Sequence, residues 1–567
     1  MPGPIARRAP VVYGAVALVG MVVLLPTALR PPPDAANSSN QFSPDAPPDK
    51  NADAIIRSVQ LGGSSATAGQ PPRPTIIIKP PPLPTALASA TPPPLPSRAG
   101  CYPGKPPKQI ESVYSVACKP AFRGDNGGST APGVTRTDIN VIFHTTADYG
   151  NELKSPKEIS DANAGDGGTS RSLNDLKKYF NQHYELYGRQ LRFFSSPATQ
   201  FGATESQQRA SAETAIAFAK PFTGVVSTTS SDAEVFTQHK VFHWNYDNLS
   251  EKWHRKQAPY SWTATVTGEV TAGLFGEYLC KQLKGHQPYP TGDTSNGLNF
   301  NPKAPRKFGV IETNEVNSES HAKLYAGMAT CGVNPQPDVQ TYFSDVQDVD
   351  ATITKMKANK VSSIIFNDDV FSALLYMQAA DRQNYRPEWI STGWGALDLT
   401  TINREMPATQ SKNLFGISIG EIVRDPRLNE CLRAIRSVDP GFTGDIGACN
   451  TLWAPLVHMV DAMQLVGPHL TREAMAAAIP AIPHLDPDPQ RLWALSGGYR
   501  TDKHSYADAA TIFWWEPSTT DPDGNAGTYR YADCARRYRP GQFQTVPRAF
   551  VQKGSVTGAT WTRCSTV

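Results

Sequence analysis

From residue 137 onward, short apolar runs alternate with amphipathic stretches, and this alternation restricts the possible folds more than any other feature of the chain. "DINVIFH" reads as a strand following Thr137. In the next stretch Leu173, Leu176 and Phe180 recur at i, i+3 and i+7, the spacing of one helical face. Gly188 is expected to stop that helix. "QLRFF" is the next strand, "SQQRASAETAIAFAK" a helix, "FTGVVSTTSS" a strand ending in hydroxyls, and "KVFHWNY" a fourth strand. The order β-α-β-α-β predicts a parallel sheet with helices packed on its faces.

The pattern then restarts. "APYSWTATVTGEVTAGLFGEYLCKQL" leads through a helix into the strand "RKFGVIET", and "SHAKLYAGMATCG" is helical. "DVQTYFS" is a strand, and "DVDATITKMKANK" a helix with Asp350 as its expected N-cap. The apolar strand Val361 to Phe366 ends on Asn367-Asp368-Asp369 and runs straight into another helix. A carboxylate there suits a helix start, through capping and the helix dipole. It also stands where open α/β sheets place ligand crevices, at the carboxyl end of a strand. The later segments "NLFGISIG", "PLVHMVDAMQLVG" and "ADAATIFWWEP" are too few for a third domain and are expected to return to the two lobes. The expected organisation is therefore 1–30 a membrane anchor or signal, 31–100 a linker, 101–265 the first part of lobe one, 266–400 the main part of lobe two, and 401–567 the returning elements with a C-terminal extension.

Residues 11–29 carry no charge. As a helix they reach roughly 28 Å, close to the bilayer's apolar thickness of about 30 Å. Arg7 and Arg8 precede them, which predicts a cytoplasmic N-terminus and an uncleaved single-span anchor; a cleaved signal peptide, giving a secreted protein, is the alternative. Residues 31–100 mix proline with glycine and serine, the composition of a spacer without a core. Net charge is only +3 and Lys and Arg form no long runs, so a nucleic-acid surface is not indicated.

All eight cysteines follow residue 100: Cys101, Cys118, Cys280, Cys331, Cys431, Cys449, Cys534 and Cys564. An even set points to disulfides in an oxidising, extracytoplasmic compartment. Eight cysteines allow 105 pairings; the pairs 101/118 and 431/449 are favoured because each closes a short loop, and buried free thiols are the alternative. No zinc, calcium, phosphate-loop or dinucleotide motif and no nucleophile elbow occurs, so no cofactor, metal site or enzymatic activity is expected. Asp345, Asp348 and Asp350 lack the glycine and terminal glutamate of a calcium loop.

Four segments together resemble the type 1 periplasmic-binding proteins, close to the branched-chain amino acid (leucine-binding) substrate-binding components of ABC importers. They are "YFNQHYELYGRQLRF" with Asn181, Gly188 and Arg189, "APYSWTATVTGEVTAGLFGEYL", "KFGVIETNEVNSESHAKLYAGMATCG", and the run from "FSDVQDVD" to "ISTGWG". The resemblance spans about residues 137–520. It implies two Rossmann-like lobes with parallel sheets, joined by crossover strands and closing on a small ligand. It further implies an extracytoplasmic protein that hands an amino acid or amide-like solute to ABC permease and ATPase subunits; an envelope-anchored sensor of the same fold is the alternative. By position, Ser227, Thr228 and Thr229 would meet the ligand's carboxylate, with Thr145, Asn245 and Tyr246 at neighbouring strand ends. Asp368 or Asp369 would meet an ammonium. Trp394 stands where leucine-type relatives carry an acid, and with Trp244 it could stack on a flat or cationic ligand or simply pack.

The linker reading makes a direct prediction. Amide hydrogen exchange across residues 31–100 is expected to be complete at the earliest time point; slow exchange over most of the segment would reveal a folded region instead.

Overall fold

The computed structural model describes residues 101–146, 171–198, 204–226, 230–245, 249–288, 304–313, 318–341, 349–368, 370–395, 397–398, 403–422, 428–442, 447–488, 491, 493–521 and 525–545. All of them belong to one compact unit, Pro84–Val567. The expected anchor at 11–29 and linker at 31–100 lie outside the described residues. Among the described residues no helix is long and apolar enough to cross a membrane.

Two sheets organise the chain. The first contains β1 (Asp138–Thr146), β2 (Gln190–Ala198), β3 (Thr223–Val226), β4 (Phe242–Asn245) and β5 (Ser261–Thr263), in the order β2-β1-β3-β4-β5. Every pairing in it is parallel. The second contains β6 (Phe308–Thr313), β7 (Asp338–Thr341), β8 (Ser363–Asn367), β9 (Glu388–Ser391), β10 (Leu414–Ser418), β11 (Thr511–Thr520) and β12 (Ala526–Tyr531), in the order β12-β11-β10-β9-β8-β6-β7. β6 to β10 run parallel, and β11 and β12 add an antiparallel edge.

Both faces of the first sheet are covered, which is why its strands read as continuous apolar runs. Val141 and Phe143 face one core, shared with α1 (Arg171–His183). Ile142 faces the other, shared with α2 (Glu205–Ala219) and α3 (Ser230–Gln238). Leu173, Leu176 and Phe180 are buried as their spacing predicts. The helix ends at His183, before Gly188. Gly188 has φ +82° and forms the turn into β2 rather than the helix stop. Asn181 braces that turn by bonding both the N–H (2.8 Å) and the C=O (3.2 Å) of Leu191. Arg189 is buried and donates to four carbonyls, those of Thr135, Pro468, Asn126 and Gly128.

α4 (Glu251–Lys256) links β4 to β5, and α5 (Gly268–Tyr278) follows β5 into the second lobe, packing on α6 (Ser318–Ala329). α7 (Val349–Ala358) and α8 (Val370–Arg382) connect β7, β8 and β9. Asp350 lies inside α7 instead of capping it, because the helix begins one residue earlier; its carboxylate accepts from Arg382 at 2.8 Å. After β10 the chain returns to the first core through α9 (Glu430–Val438) and α10 (Gly447–Val466), then crosses again to β11. The chain thus passes between the lobes three times. The first and third passages lie side by side, with Tyr506 N–H donating to Thr263 C=O (2.9 Å) and Ala507 N–H to Thr265 C=O (3.1 Å).

At the starts of β6, β8 and β9 sits a fully buried ion pair. Arg306 grips Glu388 through Nε (2.7 Å) and Nη2 (2.8 Å), and Ser363 Oγ donates to the same carboxylate at 2.5 Å. A bidentate, fully satisfied pair of this kind offsets its desolvation cost and fixes register.

Disulfides join Cys101 to Cys118, Cys431 to Cys449, and Cys280 to Cys331. The third pairing staples the turn just beyond α5 to the turn just beyond α6, a contact that the packing of the two helices creates. The side chain of Cys534 and all of Cys564 lie outside the described residues. Titration of the denatured, unreduced protein is expected to find at most two thiols, eight cysteines less the six bonded; a count of eight would show that no bond forms.

Asp461, on α10, is a fully buried carboxyl in the first core, accepting from Tyr184 Oη at 2.6 Å while its Oδ2 has no partner. Burial pushes it up to about 8 from an ordinary 3.8. Between these two values only the folded state holds the proton, so each rise in pH across that window costs stability. Asp461→Asn keeps the acceptor and abolishes the titration. Its melting temperature is expected to exceed that of the parent by a margin that widens from pH 5 to pH 8; a constant margin in thermal melts would contradict this.

Candidate functional site

The strand ends of both lobes face a common gap. α4 follows the C-terminal end of β4 and α6 the C-terminal end of β6, and the two touch. Lys252 Nζ lies 2.9 Å from Glu319 Oε1, and Gly268 N–H donates to Leu249 C=O at 3.3 Å. Lys252 is 77% exposed, so this pair marks the rim of the gap without contributing much stability.

On the first lobe, β1 and β3 pair up to His144↔Val226, and β3 and β4 up to Val225↔Trp244. This register sets Thr145 and Asn245 at one edge, at the point where β3 runs on toward residue 227. Ser227, Thr228, Thr229 and Tyr246 lie outside the described residues, as do the side chains of Thr145 and Asn245. Behind that edge His144 is fully buried 3.9 Å from Asp232 in the first turn of α3. Burial pushes the imidazole down to about 4, so it is neutral at pH 7. Trp244 does not reach the gap. It is fully buried, edge-on to Tyr499 at 5.7 Å, and its Nε1 donates to Thr223 Oγ1 at 3.2 Å. Strand alternation turns it into the core, so packing is its role.

On the second lobe, β6, β8 and β9 end level with one another, with Glu312 opposite Asn367 and Phe366 opposite Ser391. Here a small hollow of about 10 Å³, room for one water, lies between the start of α5, the side of α6 and the ends of β8 and β9. Gly268, Thr271, Ala272, Ser320 and Leu324 form two walls, and Asn367, Thr392 and Trp394 the third. Trp394 is half-buried. Asp368 is 1% exposed and is not among the lining residues; Asp369 lies outside the described ones. The polar floor is held from behind. Asn367 Nδ2 donates to Glu312 Oε1 at 2.7 Å, Thr392 Oγ1 donates to Asn367 Oδ1 at 2.5 Å, and His321 Nδ1 lies 2.5 Å from Glu312 Oε2. Among the described residues no group of three metal-ligating side chains occurs.

The structure therefore brings Trp394 to a pocket and leaves Asp368 beside it. Sequence reasoning missed Asn367 and Thr392, although both stand in the strand-end stretches it singled out, "NDD" and "ISTGWG". Thr271 had no local signal, because it enters the site only through the passage between lobes.

No protein-family model matches the chain, and no curated protein matches it. Solved structures do. The chain is similar to the fatty acid ABC transporter substrate-binding protein from Thermomonospora curvata, with 13% identity and a TM-score of 0.50 over 76% of this chain and 100% of that one. It is also similar to a type 1 periplasmic binding protein from Bordetella pertussis Tohama I (13% identity, TM-score 0.48, 67% and 96% covered). A third is a possible leucine/isoleucine/valine-binding protein from Rhodopirellula baltica SH 1 (10% identity, TM-score 0.49, 69% and 96% covered). The fold is that of the type 1 periplasmic-binding proteins.

Proposed function

We propose that this protein captures a small solute between its two lobes outside the cytoplasm and delivers it to an ABC importer. The observation that carries the reading is the hollow at the carboxyl ends of β8 and β9, lined by Trp394 together with the buried polar pair Asn367 and Thr392. Open α/β sheets bind ligands at this edge, and an apolar wall with a few convergent polar groups is the usual composition of such a site. The three disulfides support the extracytoplasmic location. The fold shared with a substrate-binding protein supports the transport role.

A native mass spectrum of the purified full chain is expected to show a co-purified small molecule. Trp394→Ala is expected to weaken its binding about thirtyfold, on the order of 2 kcal/mol for truncating an aromatic anchor. Absence of any bound solute, together with unchanged hydrogen exchange at residues 391–395 on addition of cell extract, would refute the reading.

A further inference from the structure

We infer that the chain after β12 is a clasp on the hinge: residues 536–545 form a fourth, non-covalent connection between the lobes, and two arginines in it hold the covalent passages in place. Such a clasp restrains the lobes whatever the gap holds.

The segment is rooted in the second lobe. Tyr538 and Phe543 are buried in its core and stack on each other at 4.7 Å, and Phe543 packs on Tyr278 of α5. Glu277 of α5 accepts from the N–H groups of Gly541 (2.6 Å) and Phe543 (2.9 Å). Gln282 Nε2 donates to the carbonyl of Gln544 at 3.2 Å. These side chains satisfy backbone groups that no helix or strand ladder pairs, and so fix an irregular segment.

From this root two arginines reach the passages and the first lobe. Arg537 is 1% exposed. Its Nη2 donates to the carbonyl of Gly420, on the second passage, at 2.7 Å and to that of Trp493 at 3.2 Å. Trp493 C=O also accepts from Ile422 N–H at 3.0 Å, and the Trp493 side chain packs against the first core. The Arg539 guanidinium spreads over three oxygens: Asp508 Oδ1 (3.0 Å) on the third passage, Asp486 Oδ1 (2.9 Å) and Leu485 C=O (3.4 Å). The side chain of Leu485 is buried in the first core. Between the two arginines, Tyr538 N–H donates to Ala510 C=O at 2.7 Å and Ala510 N–H to Tyr538 C=O at 3.0 Å. The third passage is therefore held on two sides, by Thr263 and Thr265 of the first passage and by Tyr538 and Arg539 of the clasp.

Arginine suits this position because its planar guanidinium presents donors in a fixed fork and can hold oxygens of several segments at once. Any motion that separates Leu485 and Trp493 from Tyr538 and Phe543 has to break bonds to Arg537 or Arg539. A group of charge-assisted bonds, one of its arginines fully buried, resists such a motion more than the exposed Lys252–Glu319 pair at the rim does.

Hydrogen exchange on the full chain tests the clasp, comparing the passages at 419–422 and 505–510 with strands β1 and β8. Arg539 is 30% exposed, and Arg539→Gln removes its ion pairs while leaving a long polar side chain. It is expected to speed exchange in the passages about fivefold and to leave β1 and β8 unchanged. Asp486→Asn withdraws one partner from the first-lobe side, at an 89% exposed side chain. It is expected to act in the same direction, about twofold, and it serves if the glutamine variant does not fold. Unchanged exchange in the passages of both variants overturns the inference. An equal rise in the passages and in β1 and β8 also overturns it, because Arg539 then stabilises the whole fold and not the hinge. Neither result bears on the solute-binding reading, which the native mass spectrum decides separately.

Discussion

A parallel strand can be followed by another only if the chain returns over the face of the sheet, and this constraint shapes the whole molecule. Each return brings a helix start to the same edge as the strand ends. In both lobes the polar, irregular chain is therefore gathered at one side, while the apolar strand interiors are sealed beneath helices. The buried Arg306–Glu388 pair acts at the other side of the second sheet, where β6, β8 and β9 begin. With those starts tied together through Ser363 as well, the ends that carry Glu312, Asn367 and Thr392 arrive level with one another. The placement of those strand ends thus depends on a charge pair at the far end of the same strands.

The strands were legible in the sequence because a sheet covered on both faces needs every residue apolar, as in "INVIF" and "SIIF". Helix faces such as Leu173, Leu176 and Phe180 were legible for the same reason of periodicity. What could not be read were properties set by partners distant in sequence. Trp244 looks like a ligand platform until Tyr499, from the other end of the chain, is seen packed against it. Cys280 and Cys331 pair because α5 and α6 lie together, which loop length alone does not indicate. The pocket itself joins Thr271 to Asn367 and Thr392 across about a hundred residues, so its polar pattern exists only in the folded chain. The acids of "NDD" drew attention to this strand end, and it is the asparagine just before them that lines the hollow there.

The segment before β1 has no counterpart in the alternating pattern, yet it completes the first lobe. Ile110, Tyr114 and Val116 are buried in the core that holds α1, α9 and α10. Tyr114 Oη donates to Glu421 and accepts from Leu495 N–H, so one hydroxyl joins this segment to the chain leaving β10 and to the stretch before the third passage. The Cys101–Cys118 bond closes a loop that contains these three core residues, which reduces the entropy lost on docking it.

The side-by-side passages between the lobes have a mechanical consequence. Two segments bonded through Thr263, Thr265, Tyr506 and Ala507 cannot slide past each other without breaking those bonds, but they can twist together as a ribbon. Rotation of one lobe against the other about that ribbon would break fewer of these bonds than sliding would.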